Sequence, residues 1–209
     1  MTAKLQQQQL ENWISSQAWN IFGTLKFQPI RMISGQEAHK VVRRFWNQLD
    51  RVLYGKAAER GCRVQRWCFA HEGSYSDNYH VHFVAQSTIE TDLFCCLCNT
   101  LWTKQDRATA SIEKNWITPV LHRDHVVRYL TKEVWKLGAT SFDPALSCSH
   151  AQQFQVDPDL QAAQAARISR AVTANELTAA SIALEKHKAG TELRLALRER
   201  KQSGKATCQ

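Results

Sequence analysis

The sequence predicts an α+β fold: a mostly antiparallel, ferredoxin-like sheet with packed helices, followed by a C-terminal helical extension. Three observations carry this reading. β-forming runs and helical stripes alternate as strand, helix, strand, strand, helix, strand, helix. The polar run Gly73-Ser-Tyr-Ser-Asp-Asn78 is a hairpin connection between the two helices, so its flanking strands run antiparallel. Strand signals cease after about Gly138, and Ala, Gln and Leu dominate from Asp157 onward. These shifts divide the chain into a main domain at 1–140, a linker with Pro144 at 141–156, and a basic helical extension at 157–209.

Each element has a local cause. Leu10, Trp13 and Ile14 have helical spacing within 5–17, which predicts a short leading helix packed by Trp13. Trp19 to Phe27 is rich in β-formers and is stopped by Pro29; Phe22, Thr24 and Lys26 share one of its faces. Ser34 and Glu37 form a capping box before the stripe Val41, Val42, Phe45, Trp46, Leu49, Val52 and Leu53. Cys62 to Glu72 reads as a second strand, and Tyr79 to Gln86 as a third. A helix over 90–105 buries Leu93, Phe94, Leu97 and Leu101, and a further strand is expected near Ala108–Lys114. A last domain helix runs from Arg123 to Lys136 and stops at Gly138. In the extension, Thr173 and Glu176 form another capping box, and Gly190 is expected to end that helix.

Composition narrows the partners. Among 209 residues, 27 Lys and Arg face 19 Asp and Glu, a net charge of +8 that suits a polyanion such as nucleic acid. No apolar run approaches the roughly 20 residues that span a bilayer, so no membrane partner is expected. The N-terminal residues lack a basic-then-apolar leader pattern, and the 7 cysteines are odd in number, which together point to a reducing cytoplasm. Cys95 and Cys98 form an isolated CxxC among Leu93, Phe94 and Leu97, the surroundings of small buried hydrophobes rather than of a zinc site.

The chemistry gathers at two places. In Tyr79-His80-Val81-His82-Phe83-Val84 the two histidines project from one strand face, an arrangement suited to a divalent metal. Glu72 ends the preceding strand and is the expected third ligand, giving a mixed N/O set for Mn²⁺ or Mg²⁺. His71 is its rival, expected to face away if the strand is regular. Spacing excludes other histidine motifs: position 84 is Val rather than a third alternating His, and the pair is not a helical turn apart. The second place is Val126 to Lys136, where Val126, Val127, Leu130, Val134 and Leu137 make a buried stripe. Tyr129, Lys132 and Lys136 share the other side. A phenol one turn from an ammonium suits a nucleophile beside a cation that stabilises phosphate charge.

A strand ending Phe22-Gly-Thr-Leu-Lys-Phe27, then Glu72 upstream of His80-Val-His82, then Tyr129-Leu-Thr-Lys132 resembles the HUH endonucleases. The likeness is greatest to single-tyrosine rolling-circle replication initiators (Rep proteins) and covers about residues 18–138. The resemblance implies that His80, His82 and Glu72 hold a divalent ion and that Tyr129 attacks single-stranded or hairpin origin DNA of a plasmid or phage. It further implies a 5′-phosphotyrosine, a free 3′-hydroxyl and later rejoining, with Lys132 stabilising the charged intermediate. Relatives with two nucleophiles carry a second Tyr four residues away, where this chain has His125 and Glu133. One nucleophile per subunit means that a cycle ends with water or with a second protomer of a homodimer. The chain has no GxxxxGK[ST] loop, so a host helicase would be needed alongside a polymerase. The competing readings are a single-tyrosine transposase, a mobilisation relaxase, and a non-catalytic DNA-binding module.

Overall fold

A computed structural model describes residues 3–29, 33–71, 79–132, 141–149 and 158–206. A five-stranded antiparallel sheet lies between two layers of helices. Its strands are β1 (Ile21–Lys26), β2 (Arg66–His71), β3 (His80–Ala85), β4 (Trp116–Pro119) and β5 (Phe142–Cys148), in the spatial order β4-β1-β3-β2-β5. The helices are α1 (Ala3–Ser15), α2 (Gly35–Tyr54), α3 (Thr91–Thr103), α4 (Arg123–Thr131), α5 (Pro158–Ala171) and α6 (Ala174–Ala206).

Period-two alternation splits the side chains of the sheet between two cores. On one face Ile21, Leu25, Cys68, Val81, Phe83 and Ala85 meet the stripe of α2 and residues of α3, α5 and α6. Helix α2 begins as its sequence predicts, with Ser34 Oγ accepting from the Glu37 backbone N–H and the Glu37 carboxylate accepting from the Ser34 N–H. Every residue of its apolar stripe is buried. Cys95, Cys96 and Cys98 are buried in this same core. Across the sheet Phe22, Trp67, Phe69 and Val84 meet Ile14 of α1 and Val127 and Leu130 of α4. Trp13 stacks on Trp67 at 3.5 Å between centroids while remaining 40% exposed, so Ile14 is the more deeply buried anchor of α1.

Helix α1 also fixes α4, which carries Tyr129. Arg123 Nη2 donates to the Ser15 and Gln17 carbonyls at the end of α1, and Thr131 Oγ1 donates to Glu11 Oε1 at 2.9 Å. A buried ion pair ties the opposite layer together. Arg66 Nη1 reaches both Asp50 oxygens at 3.1 Å, Arg66 Nε donates to the Leu146 carbonyl, and its guanidinium lies over Trp46.

Three expectations change. The strand expected near Ala108–Lys114 is instead a 3₁₀ turn at Ile112–Lys114, and the strand is the four-residue β4 that follows it. Only Ala108 pairs in that stretch, through an isolated bridge to Phe27. Residues 142–148, expected in the linker, form β5 on the free edge of β2, where Pro144 is tolerated because an edge strand has unpaired positions. Asp143 Oδ1 accepts from the Ala145 and Leu146 N–H groups, and the pairing register shifts there. Gly190 does not end α6, which continues to Ala206. Ile168, Val172, Ala180 and Leu184 of the extension join the main core. The predicted stop of α4 at Gly138 and the hairpin at 73–78 lie outside the described residues. No described helix is long and apolar enough to cross a membrane.

At the centre of the sheet Gly23 lies opposite Phe83, and a Cβ there would sit 2.1 Å from the Phe83 ring. Gly23→Ala should destabilise the protein by roughly 1–3 kcal/mol through overpacking. In chemical denaturation, adding Phe83→Leu should recover part of that loss. Equal stability of Gly23→Ala and wild type would disprove the close approach.

Candidate metal centre and nucleophile

The register of β2 and β3 assembles the site. His71 pairs with His80 and Phe69 with His82, so their side chains share the face that carries α1 and α4. His71, expected to face away, therefore stands beside the histidine pair. The donor nitrogens of His71, His80 and His82 all lie within 4.8 Å of one another, making this a three-imidazole cluster. Glu72, the expected third ligand, lies outside the described residues.

The cluster's geometry suits an ion. His80 Nε2 and His82 Nε2 are 3.0 Å apart. Two nitrogens bound at right angles with bonds of about 2.1 Å would be about 3.0 Å apart. Electrostatics agrees. Burial, with the charges of His80 and Lys132 in support, pulls His71 down to about 3. Burial likewise lowers His82 well below the ordinary range, with His71, His80 and Lys132 adding to the effect. Neutral imidazoles are what a metal requires. All-nitrogen donors favour first-row transition ions over Mg²⁺, which prefers oxygen.

Thr24, given no role by sequence reasoning, completes the support. Its Oγ1 lies 2.8 Å from His82 Nδ1, in the strand position directly opposite His82. With Nδ1–H donating to this hydroxyl, the Nε2 lone pair of His82 points to the cluster. Phe22 stacks near the His82 ring at 5.9 Å.

Helix α4 brings the second constellation to the same place. The Tyr129 ring stands edge-on to His82, 4.8 Å between centroids, and edge-on to Phe22 at 5.8 Å. Lys132 Nζ lies 3.8 Å from the centre of the Tyr129 ring. Tyr129 is 44% exposed, while His71 and His82 behind it are buried. Lys136 lies outside the described residues.

A cleft of about 510 Å³ opens over these groups, lined by Thr24, Lys26, His80, His82, Tyr129 and Lys132 on one side. Trp116 of β4 and Thr191, Arg194 and Leu195 of α6 line it too, as do His122 and His125. Arg194 lies over the Trp116 ring at 4.6 Å, and His187 contacts that ring at 4.5 Å. Ion pairs from Lys188 to Asp92 and from Lys186 to Glu113 hold this part of α6 in place. Sequence reasoning places Arg194 within the basic extension but has no signal linking it to the histidines.

No protein-family model matches the chain, and no curated protein or solved structure shows significant similarity to it.

Mn²⁺ should raise the thermal midpoint of the protein more than Mg²⁺ does. His71→Ala and His80→Ala should remove the Mn²⁺ effect, read by scanning calorimetry. Survival of that effect in His71→Ala, with loss in Glu72→Ala, would return the third position to Glu72. In metal-free protein, the unfolded chain binds the His71 proton below about pH 6.5 while the folded chain holds none until about pH 3. Stability should therefore rise with pH across that window, with this histidine adding about 1.4 kcal/mol per pH unit. His71→Gln should flatten that slope.

Proposed function

We propose that this chain is a metal-dependent DNA endonuclease and strand transferase of the HUH type, acting as a single-tyrosine rolling-circle replication initiator at a plasmid or phage origin. The observation that carries this reading is the meeting of a solvent-accessible phenol, a buried imidazole cluster and a lysine in one cleft. The aromatic walls of the cleft, Phe22, Trp116 and Tyr129, suit the stacking of unpaired bases. Arg194, Lys26 and Lys132 suit the backbone that joins them.

In the proposed reaction Tyr129 Oη attacks the scissile phosphorus. The Oη–P bond forms as the P–O3′ bond breaks, and the electron pair leaves with O3′. The phenol proton passes to solvent and the 3′ oxygen takes one up, which leaves a 5′-phosphotyrosine and a 3′-hydroxyl. Return attack by a 3′-hydroxyl reverses these changes and rejoins DNA without ATP. A divalent ion held by His71, His80 and His82 would supply a Lewis acid that polarises the phosphate and offsets its developing charge. Thr24 holds the His82 ring in orientation, and Lys132 supplies fixed positive charge beside the nucleophile.

A non-catalytic DNA-binding module is the second reading, favoured by the packing of Tyr129 against Phe22, His82 and Lys132.

Incubation with Mn²⁺ and labelled single-stranded hairpin DNA should give a denaturant-resistant adduct, resolved on a denaturing gel. Tyr129→Phe should abolish the adduct, and an adduct in that variant would remove Tyr129 as nucleophile. Lys132→Ala should slow its formation about a hundredfold to a thousandfold, the range for loss of one preorganised charge-stabilising group, and Arg194→Gln should slow it too. Absence of any wild-type adduct across origin-like hairpins would favour the binding module.

A further inference from the structure

A second groove lies on the opposite side of the sheet, between α2 and α5, with a volume of about 680 Å³. Its walls carry Lys40, Arg43, Arg44 and Arg51 from α2 and Arg167 and Arg170 from α5, with no carboxylate among the lining residues. None of these six cations forms an ion pair among the described residues. The groove is held open by specific bonds rather than by chance side-chain positions. Arg167 Nε donates to the Val52 carbonyl and Arg167 Nη2 to the Leu53 carbonyl, each at 2.9 Å. Gln164 Nε2 donates to the Leu53 carbonyl at 3.1 Å. Helix α5 is thereby fixed to the end of α2.

We propose that this groove binds the backbone of double-stranded DNA, at a site separate from the catalytic cleft. Six like charges crowded without counter-charges repel one another, and a polyanion relieves that repulsion while releasing its own counterions. From Lys40 to Arg51 the helix rises about 16 Å, at 1.5 Å per residue, close to the axial length of five base pairs at 3.4 Å each. The lining distinguishes duplex from single strand. It holds no aromatic residue, so unpaired bases would find no stacking platform, whereas the catalytic cleft has three. Asn47 and Gln48 supply amides suited to phosphate oxygens. Gln48 Oε1 already accepts from Gln105, which leaves its N–H groups as donors. The choice of DNA over RNA rests on the proposed nicking activity; the groove and its charge do not.

The test uses the full chain and a fluorescein-labelled DNA duplex of arbitrary sequence, read by anisotropy over a salt series. Arg43, Arg44 and Arg170 are all exposed and take no part in the cleft. The Arg43→Gln/Arg44→Gln/Arg170→Gln variant should bind the duplex at least about tenfold more weakly. Its slope of log affinity against log salt should be shallower by about 2.7, or 0.9 per lost contact. Adduct formation with a short single strand should stay at the wild-type rate. Circular dichroism checks its fold, and Lys40→Gln/Arg51→Gln provides an independent variant with the same expected direction. Wild-type duplex affinity and slope in both variants would overturn the proposal. Tighter binding of an RNA duplex, weakened by the same substitutions, would overturn its DNA part. Duplex binding lost in the variants, with no adduct even in wild type, would sink the nicking reading and leave this groove standing.

Discussion

The register between β2 and β3 is the constraint on which the candidate site depends. Strand side chains alternate, so pairing fixes a parity: odd positions of β2 share a face with even positions of β3. A slip of one residue would carry His71 to the α2 side and bring Cys68 and Ala70 towards the histidine pair. The two cores lock this parity from both sides. Phe83 cannot leave the hollow above Gly23, and Trp67 and Phe69 cannot leave the aromatic cluster under α1 and α4. Packing far from the histidine pair thus decides which residue joins it.

Much of this organisation was legible from local patterns. The stripe and capping box of α2, the strand faces of β1 and β3, and the start of α4 at Arg123 rest on interactions within a few residues of one another. The Tyr129 and Lys132 pairing is a matter of helical spacing, and their ring contact follows from it. What escaped depends on pairing across long separations. His71 is expected to face away because alternation puts it opposite Glu72, and which of the two meets His80 and His82 depends on a turn length that the Gly73–Asn78 sequence does not fix. Thr24 acquires its role only through the neighbouring strand. β5 has no clear local signal because Pro144 and its polar neighbours lack alternation, yet an edge strand needs only one partner. Gly190 failed to stop α6 because Ala180, Ala183 and Leu184 and the Lys188–Asp92 pair seat the helix on α3. Tertiary packing then exceeds the cost of about 1 kcal/mol for an interior glycine.

The two faces of the sheet differ in what they offer a ligand. The face under α1 and α4 presents aromatic rings, neutral imidazoles and a phenol, with cations at the rim. The groove in the opposite helical layer is lined by arginines and a lysine, with no aromatic residue in its walls. The net charge of +8 is thus spread over both sides. Long-range steering towards a polyanion would act on the whole molecule, while aromatic rings line the cleft and not the groove.

The reach of α6 into the cleft has a consequence for how the protein comes into being. Tyr129 and Arg194 are 65 residues apart, so a ribosome adding about 5–20 residues per second needs roughly 3–13 seconds between them. During that interval the nascent chain already carries its phenol and imidazoles, but the wall made by Thr191, Arg194 and Leu195 is missing. Completion of the cleft is therefore timed by translation of α6, and a chain released early would keep the phenol and the imidazoles without the guanidinium that flanks them.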